Sequence, residues 1–339
     1  MKLGGWAVAG GMLLLAAGVR GAERVEFSWP TPNTAWAEGK PISAFLQHAG
    51  SGDPESGGFG GVRSGGAQFH EGLDIKCLTR DRRGEPTDPV FAAMSGVVRH
   101  ISTSAGDSSY GRYIVLEHPE QTPGIYTLYA HLARIAPGLA TGDRVNRGQT
   151  LGTMGHSSGG YVIPRDRAHL HFEMGVMVTR EFAAWYARKG FGSPNDHGLW
   201  NGMNLMGFDP LDFLGKWQAK KVNTFRDYFT TMEPAVRLRL STRQVPDFVL
   251  RYPSLLTRPI PANVAGWEIT LNWTGIPYAW TPLSVMETIG LSPNQPKFVE
   301  VDSSIQRRSR SKSLVVSRRG NWAPGKDLEE VLQQLFGPR

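Results

Sequence analysis

The stretch AHLHFEM, residues 168–174, places two histidines one residue apart inside a run that otherwise reads as a buried β-strand. Residues i and i+2 of a strand point to the same face and lie about 6.5–7 Å apart. His169 and His171 can therefore converge on one object a few ångströms above a sheet. A metal ion is one reading; a hydrogen-bonded pair of structural histidines is the other. The neighbouring sequence has to decide between them.

Outward from this strand, the runs GVVRHIS, RYIVLEH and IYTLYAHL alternate in the same way and are separated by GDSSYG, PEQTPG and GDRVNRG. Period-two alternation between glycine-rich turns predicts an antiparallel β-sheet or sandwich. The 41 glycines and 23 prolines among 339 residues point to short strands and many turns rather than helix bundles. The expected fold class is mainly β, an antiparallel core followed by a smaller C-terminal α+β domain.

Upstream, FHEGLDI carries His70 and Asp74. A fully extended strand would hold their Cα atoms about 13 Å apart, and Gly72 between them argues against a helix. A bend at Gly72 brings them together. A third run, YTLYAHL, ends in His131. His70, Asp74, His131, His169 and His171 are thus five candidates for one site. Zinc suits the set, because it accepts imidazole and carboxylate, takes three protein ligands at a catalytic site and leaves a fourth position for water. Two groups remain for proton transfer or for stabilising developing charge. Such a site makes water easier to deprotonate and polarises a carbonyl oxygen, the chemistry of amide hydrolysis.

In order, FHEGLDI, DPVFAAMSGVV, YGRYIVLEH, YTLYAHL, TGDRVNRGQTLGTMG and HLHFEM resemble the LytM/lysostaphin-type zinc endopeptidases, which cut peptide bonds in bacterial peptidoglycan. The resemblance covers roughly residues 55–214. It implies the duplicated hybrid motif fold, a mostly antiparallel β core with a narrow groove between loops. It makes His70, Asp74 and His171 the Zn2+ ligands, with His131 and His169 as the pair that activates water and stabilises the tetrahedral intermediate. It also leaves an alternative open, a non-catalytic envelope regulator that activates other wall hydrolases. Some relatives carry an oxyanion-binding tyrosine a few residues before the first histidine; here no tyrosine precedes Tyr110. The segments CLTRDRRGEPTD and GHSSGGYVIPRDRA depart from the pattern, the second bringing His156, Arg165, Asp166 and Arg167 near the site. Residues 175–206 read as an insertion with a short helix, carrying His197 and Trp200. His48, His100 and His118 are expected to be structural or at the surface.

Residues 1–22 read as a secretory signal peptide, a lysine followed by an apolar run and small residues. The mature chain is expected in the periplasm, the cell envelope or outside the cell, with no transmembrane segment. Cys77 is the lone cysteine, which excludes an internal disulfide, and reads as a core residue. Residues 23–54 read as a loop-rich segment, 215–255 as a linker and 256–339 as a small basic α+β domain. In that last domain TPLSVMETIG carries a helix signature, Thr281 as N-cap and Pro282 at the first position, and KDLEEVLQQLF reads as an amphipathic helix. The unit is expected to run β-α-β-β-α. Charge is uneven: residues 1–214 hold 19 basic against 20 acidic side chains, and residues 215–339 hold 18 against 10. The basic surplus suggests anionic envelope polymers as partners, beside peptidoglycan as substrate. The run RRSRSKSLVVSRR lacks interleaved aromatic residues that stack on bases, so no nucleic acid partner is expected.

Overall fold

The structure, a computed structural model, describes residues 23–337. The proposed signal peptide, residues 1–22, lies outside them. Among the described residues no helix is long and apolar enough to cross a membrane.

The main sheet is antiparallel throughout. Its order is Leu205–Phe208, His169–Met177, Ile125–Ala130, Tyr113–His118, Gly96–Ser102 and Arg144–Val145, and Leu73–Lys76 pairs with the first half of His169–Met177. The alternating runs of the sequence are these strands, and the mainly β fold class is as expected. Every residue of His169–Met177 is buried, because both faces of the sheet are covered. Its even-numbered side chains Leu170, Phe172, Met174 and Val176 enter the main core with Leu73, Ile75 and Tyr129. Its odd-numbered ones, His169, His171 and Glu173, share the opposite face, as the two-residue period demands. Truncation of Phe172, which is fully buried, removes the kind of volume that costs about 3–5 kcal/mol.

The chain before the sheet is irregular, with a single 3-10 turn at Ile42–Ala44 in residues 23–53. It is nevertheless pinned to the core, since Val25, Phe27, Phe45 and Leu46 are buried and Trp29 stacks on Trp36 at 5.3 Å. Residues 175–206 contain the expected helix, Phe182–Lys189, stopped by Gly190 in the left-handed conformation, and two 3-10 turns. They close over the odd-numbered face, where Tyr113, Leu128 and Leu205 pack with Leu199 and Trp200.

Three expectations for the C-terminal third need correction. Residues 215–255 are not a linker: they hold the helices Phe225–Thr230 and Asp247–Arg251 and the strand Val236–Ser241. That strand is an inner member of a second sheet, ordered Pro277–Leu283, Gly266–Leu271, Val236–Ser241, Lys297–Val301. VRLRLS alternates cleanly, with Val236, Leu238 and Leu240 buried, but its wet face of arginines hides it in a charge-rich stretch. The TPLSVMETIG helix is absent too. Thr281 and Pro282 belong to the edge strand Pro277–Leu283, and only a 3-10 turn, Met286–Thr288, follows. The edge tolerates proline, and burial of Trp280 against Trp267, with ring centroids 5.6 Å apart, outweighs the capping signature. The expected β-α-β-β-α order is replaced by this four-stranded sheet, the helix Ser303–Arg308, the hairpin Val315–Arg318 with Asn321–Pro324, and the helix Lys326–Phe336. That last helix is as expected, with Leu328, Val331, Leu332, Leu335 and Phe336 buried.

Candidate metal centre

Strand register assembles the site. His171 stands directly opposite Asp74 on one side and Ala130, the neighbour of His131, on the other. His70 ends the short strand Gln68–His70, and Asp74 lies in the next, Leu73–Lys76. Gly72 breaks the chain between them at a point where a Cβ would meet the carbonyl oxygen of Phe172 at 2.3 Å. The bend at Gly72 therefore requires glycine, and it sets His70 Nε2 3.0 Å from Asp74 Oδ1. His131 leaves its strand with φ of 61°, a left-handed conformation uncommon for a residue with a Cβ, which turns its ring toward the cluster.

His70 Nε2, Asp74 Oδ1 and His171 Nδ1 form a nearly equilateral triangle with sides of 3.0, 3.0 and 3.1 Å. Tetrahedral zinc with bonds of 2.0–2.2 Å separates its ligands by about 3.3 Å, so the triangle needs only a small expansion to hold such an ion. These residues are also the group of donor side chains able to hold a metal among the described residues. His169 Nε2 lies 3.4 Å from Asp74 Oδ1, and the His131 and His169 rings are 4.9 Å apart.

The far nitrogen of each ring is anchored. Nδ1 of His70 donates to Gly58 O at 2.6 Å, that of His131 to Ser157 O at 2.8 Å and that of His169 to Arg167 O at 2.7 Å. Nε2 of His171 donates to Glu173 Oε1 at 3.0 Å. With one proton per ring, all four present a bare nitrogen to the cluster, an arrangement that suits a cation. Burial disfavours a charged His171 imidazole, but hydrogen bonds to Asp74 and Glu173 outweigh burial and push it up to about 9. Burial likewise opposes the Asp74 carboxylate, yet the charges of His169 and His70 hold it well below the usual carboxylate range. The Arg63 guanidinium engages its other oxygen, Oδ2. His131 is pushed well below the ordinary imidazole value, chiefly by burial and then by the charges of His169 and His171.

Residues 68–181 match the model of peptidase family M23. The segment is similar to that family over about a third of the chain. The LytM/lysostaphin-type resemblance read from the sequence agrees with it. Among solved structures similar to the chain are a zinc containing peptidase from Vibrio cholerae (24% identity, TM-score 0.30) and the catalytic domain of a prophage-encoded M23 protein from Enterococcus faecalis (22%, 0.28). A third is the catalytic domain of lysostaphin from Staphylococcus simulans (21%, 0.29). These overlaps take in 45%, 38% and 47% of this chain, and 37%, 79% and 89% of the others. The chain thus spans little more than a third of the Vibrio protein. A search of curated proteins finds no match.

Around the donor set, sequence reasoning missed three groups. Glu173, buried, accepts from Tyr110 Oη at 2.6 Å, Tyr126 Oη at 2.8 Å and His171. Its position two residues beyond His171 on the same face was the available signal. Tyr110 comes from a distant loop, and its ring lies 5.6 Å from that of His171. Tyr161, half exposed, lines the same cavity of about 510 Å³ as the donor set, as do His48 and Arg167. His156 instead pairs with Glu85 at 3.1 Å, and His197 with His100 at 3.3 Å. His118 is buried in hydrogen bonds to Ser95 and Thr127, and Cys77 is buried in the core outside the donor group.

Proposed function

We propose that the protein is an exported zinc metalloendopeptidase that hydrolyses peptide bonds in bacterial peptidoglycan stems or cross-links. The single observation that carries the reading is the convergence of three donor atoms, within 3.1 Å of one another, inside a segment that matches peptidase family M23. His70, Asp74 and His171 hold the metal. Bound zinc would make water easier to deprotonate and polarise the scissile carbonyl. His169 and His131 take up and return the proton at Nε2, their rings fixed by the carbonyls of Arg167 and Ser157. Depression of the His131 pKa keeps that ring neutral and able to accept. Residues 55–214 are taken as the peptidase unit, and the basic unit expected at 256–339 is extended back to take in Val236–Ser241, the inner strand of its sheet.

Purified protein should contain about one zinc per chain, and chelation should stop release of peptides from cell-wall sacculi. His131→Ala and His169→Ala should do the same with zinc retained. If both variants release peptides at the unaltered rate, the assignment of these histidines is wrong. A non-catalytic envelope regulator is the competing reading. The complete donor set speaks against it, and absence of zinc from protein purified without chelator would favour it.

For the basic unit we propose attachment to anionic envelope polymers. Arg307, Arg308, Arg310, Arg318 and Arg319 are exposed and make no ion pair with a carboxylate among the described residues. Replacing Arg307, Arg308, Arg318 and Arg319 by Gln should weaken retention on sacculi at low salt and leave zinc content unaltered. Undiminished retention would count against this role.

A further inference from the structure

Tyr110 reaches both halves of the site. Its hydroxyl donates to Glu173 Oε1 at 2.6 Å, the same oxygen that accepts from His171 Nε2 at 3.0 Å. Its carbonyl accepts from His131 N at 2.9 Å, and so helps to hold the left-handed backbone that turns the His131 ring inward. The residues that follow complete this hold. Leu132 N donates to Arg112 O at 3.0 Å, and Arg112 N donates at 2.9 Å to the hydroxyl of Ser157, whose carbonyl anchors the His131 ring. Gly111 sits so close to Ser157 that a Cβ there would meet its carbonyl oxygen at 2.3 Å. The loop is thus packed on the anchor of one histidine while its tyrosine holds the anchor of another.

An independent contact fixes the tyrosine ring from the segment 175–206. Gly202 opens the 3-10 turn Gly202–Asn204, and a Cβ there would lie 2.9 Å from both Cε2 and Oη of Tyr110. Its φ is not among the left-handed ones, so this close approach is what demands glycine. The turn has little freedom to give way. Asn201 accepts from Met203 N, and the fully buried Asn204 donates to Thr179 O and Leu199 O and accepts from Thr179 N. The rings of Tyr113 and His171, 5.2 and 5.6 Å from that of Tyr110, crowd it further. A methyl group at 202 would therefore displace the hydroxyl from Glu173.

We infer that Tyr110 is a positioning residue, wedged in place by Gly202, that couples the orientation of His171 to that of His131 and makes the segment 175–206 a brace for the donor set. The hydroxyl fixes the carboxylate oxygen that serves His171, and the carbonyl fixes the backbone of His131. The inference rests on the reading above for the roles of these two histidines.

The test joins zinc competition against a chromophoric chelator to NMR of the imidazole N–H resonance of His171 in the full chain, with zinc and after chelation. Tyr110→Phe keeps the ring and the carbonyl. It should weaken zinc binding about tenfold, the low end for loss of a group behind a liganding imidazole, and move the His171 resonance. Gly202→Ala should reproduce both effects. The two changes act through one hydroxyl, so the double variant should bind zinc no more weakly than Gly202→Ala alone. Adding Tyr110→Phe also removes one of the two atoms that the new methyl meets, and should recover part of the melting temperature lost to Gly202→Ala. Unaltered affinity with an unmoved resonance in either single variant, or losses that add in the double variant, would overturn the brace. A resonance that moves in both variants of a chain that binds no zinc would uphold the tie and remove the metal reading. Stoichiometric zinc held equally by every variant, with the resonance unmoved, would do the reverse.

Discussion

His171 and Glu173 share one face of a strand, and His171 Nε2 donates to Glu173 Oε1 at 3.0 Å while Nδ1 faces Asp74 and His70. A carboxylate behind a liganding imidazole fixes its tautomer and raises its basicity, and loss of such a partner costs about 10–100-fold in metal affinity. Glu173→Gln keeps the shape and one acceptor oxygen but removes the charge. It should weaken zinc binding by that order in competition with a chromophoric chelator. Unchanged affinity would mean that Glu173 serves only to satisfy Tyr110 and Tyr126.

Direct removal of a donor should be more severe. His70→Ala or Asp74→Ala breaks the triangle, and zinc should no longer co-purify stoichiometrically with the folded chain. Asp74→Asn is the finer test. It keeps an oxygen near His70 while removing the negative charge that His169 and His70 stabilise, so affinity should fall well below the parent's while folding is kept. Full zinc content in Asp74→Ala would place the metal elsewhere.

Much of this site was legible in the sequence. The period of two put His169 and His171 on one face, and Gly72 gave the bend joining His70 to Asp74. Strand register was not legible, so the opposition of His171 to Asp74 had to come from the fold. Tyr110 was missed because it reaches the site from a loop 63 residues before Glu173 along the chain. In the C-terminal third, local signals misled where tertiary packing was strong. Thr281 and Pro282 imitate a helix start, but Trp280 is fully buried in a sheet edge. Val236–Ser241 was overlooked because its exposed face carries Arg237 and Arg239, which pair with Glu300 and Glu268.

Removing residues 256–339 would be a poor way to isolate the peptidase unit. Trp273 packs on Phe59 and Phe69 at 6.1 and 5.8 Å, and Gln334 Nε2 donates to Met203 O at 2.8 Å. Trp280 and Phe336 are joined to the same continuous core as Phe172. The truncated chain should therefore expose apolar surface, bind a hydrophobic dye and lose cooperative unfolding. A truncated chain that unfolds cooperatively at the parental temperature would show that the two parts are energetically independent.

His118 gives the pH dependence of stability a definite sign. Burial holds its imidazole down at about 4, although the hydrogen bond to Ser95 O opposes the shift. Unfolding restores an ordinary value near 6.5, so below that pH the unfolded chain binds a proton that the folded one refuses. The stabilisation is complete above about pH 6.5 and is lost as pH falls toward 4, by about 3 kcal/mol for a gap of this size. His118→Gln should be less stable at pH 7, since it sacrifices the paired contacts to Ser95 and Thr127. Its stability should then fall less steeply than the parent's between pH 6.5 and 4, because one proton is absent from the linkage. Urea unfolding of both proteins across that range decides it. Parallel curves would show that His118 titrates alike in the folded and unfolded chain, and the acid sensitivity would then have to come from other buried groups.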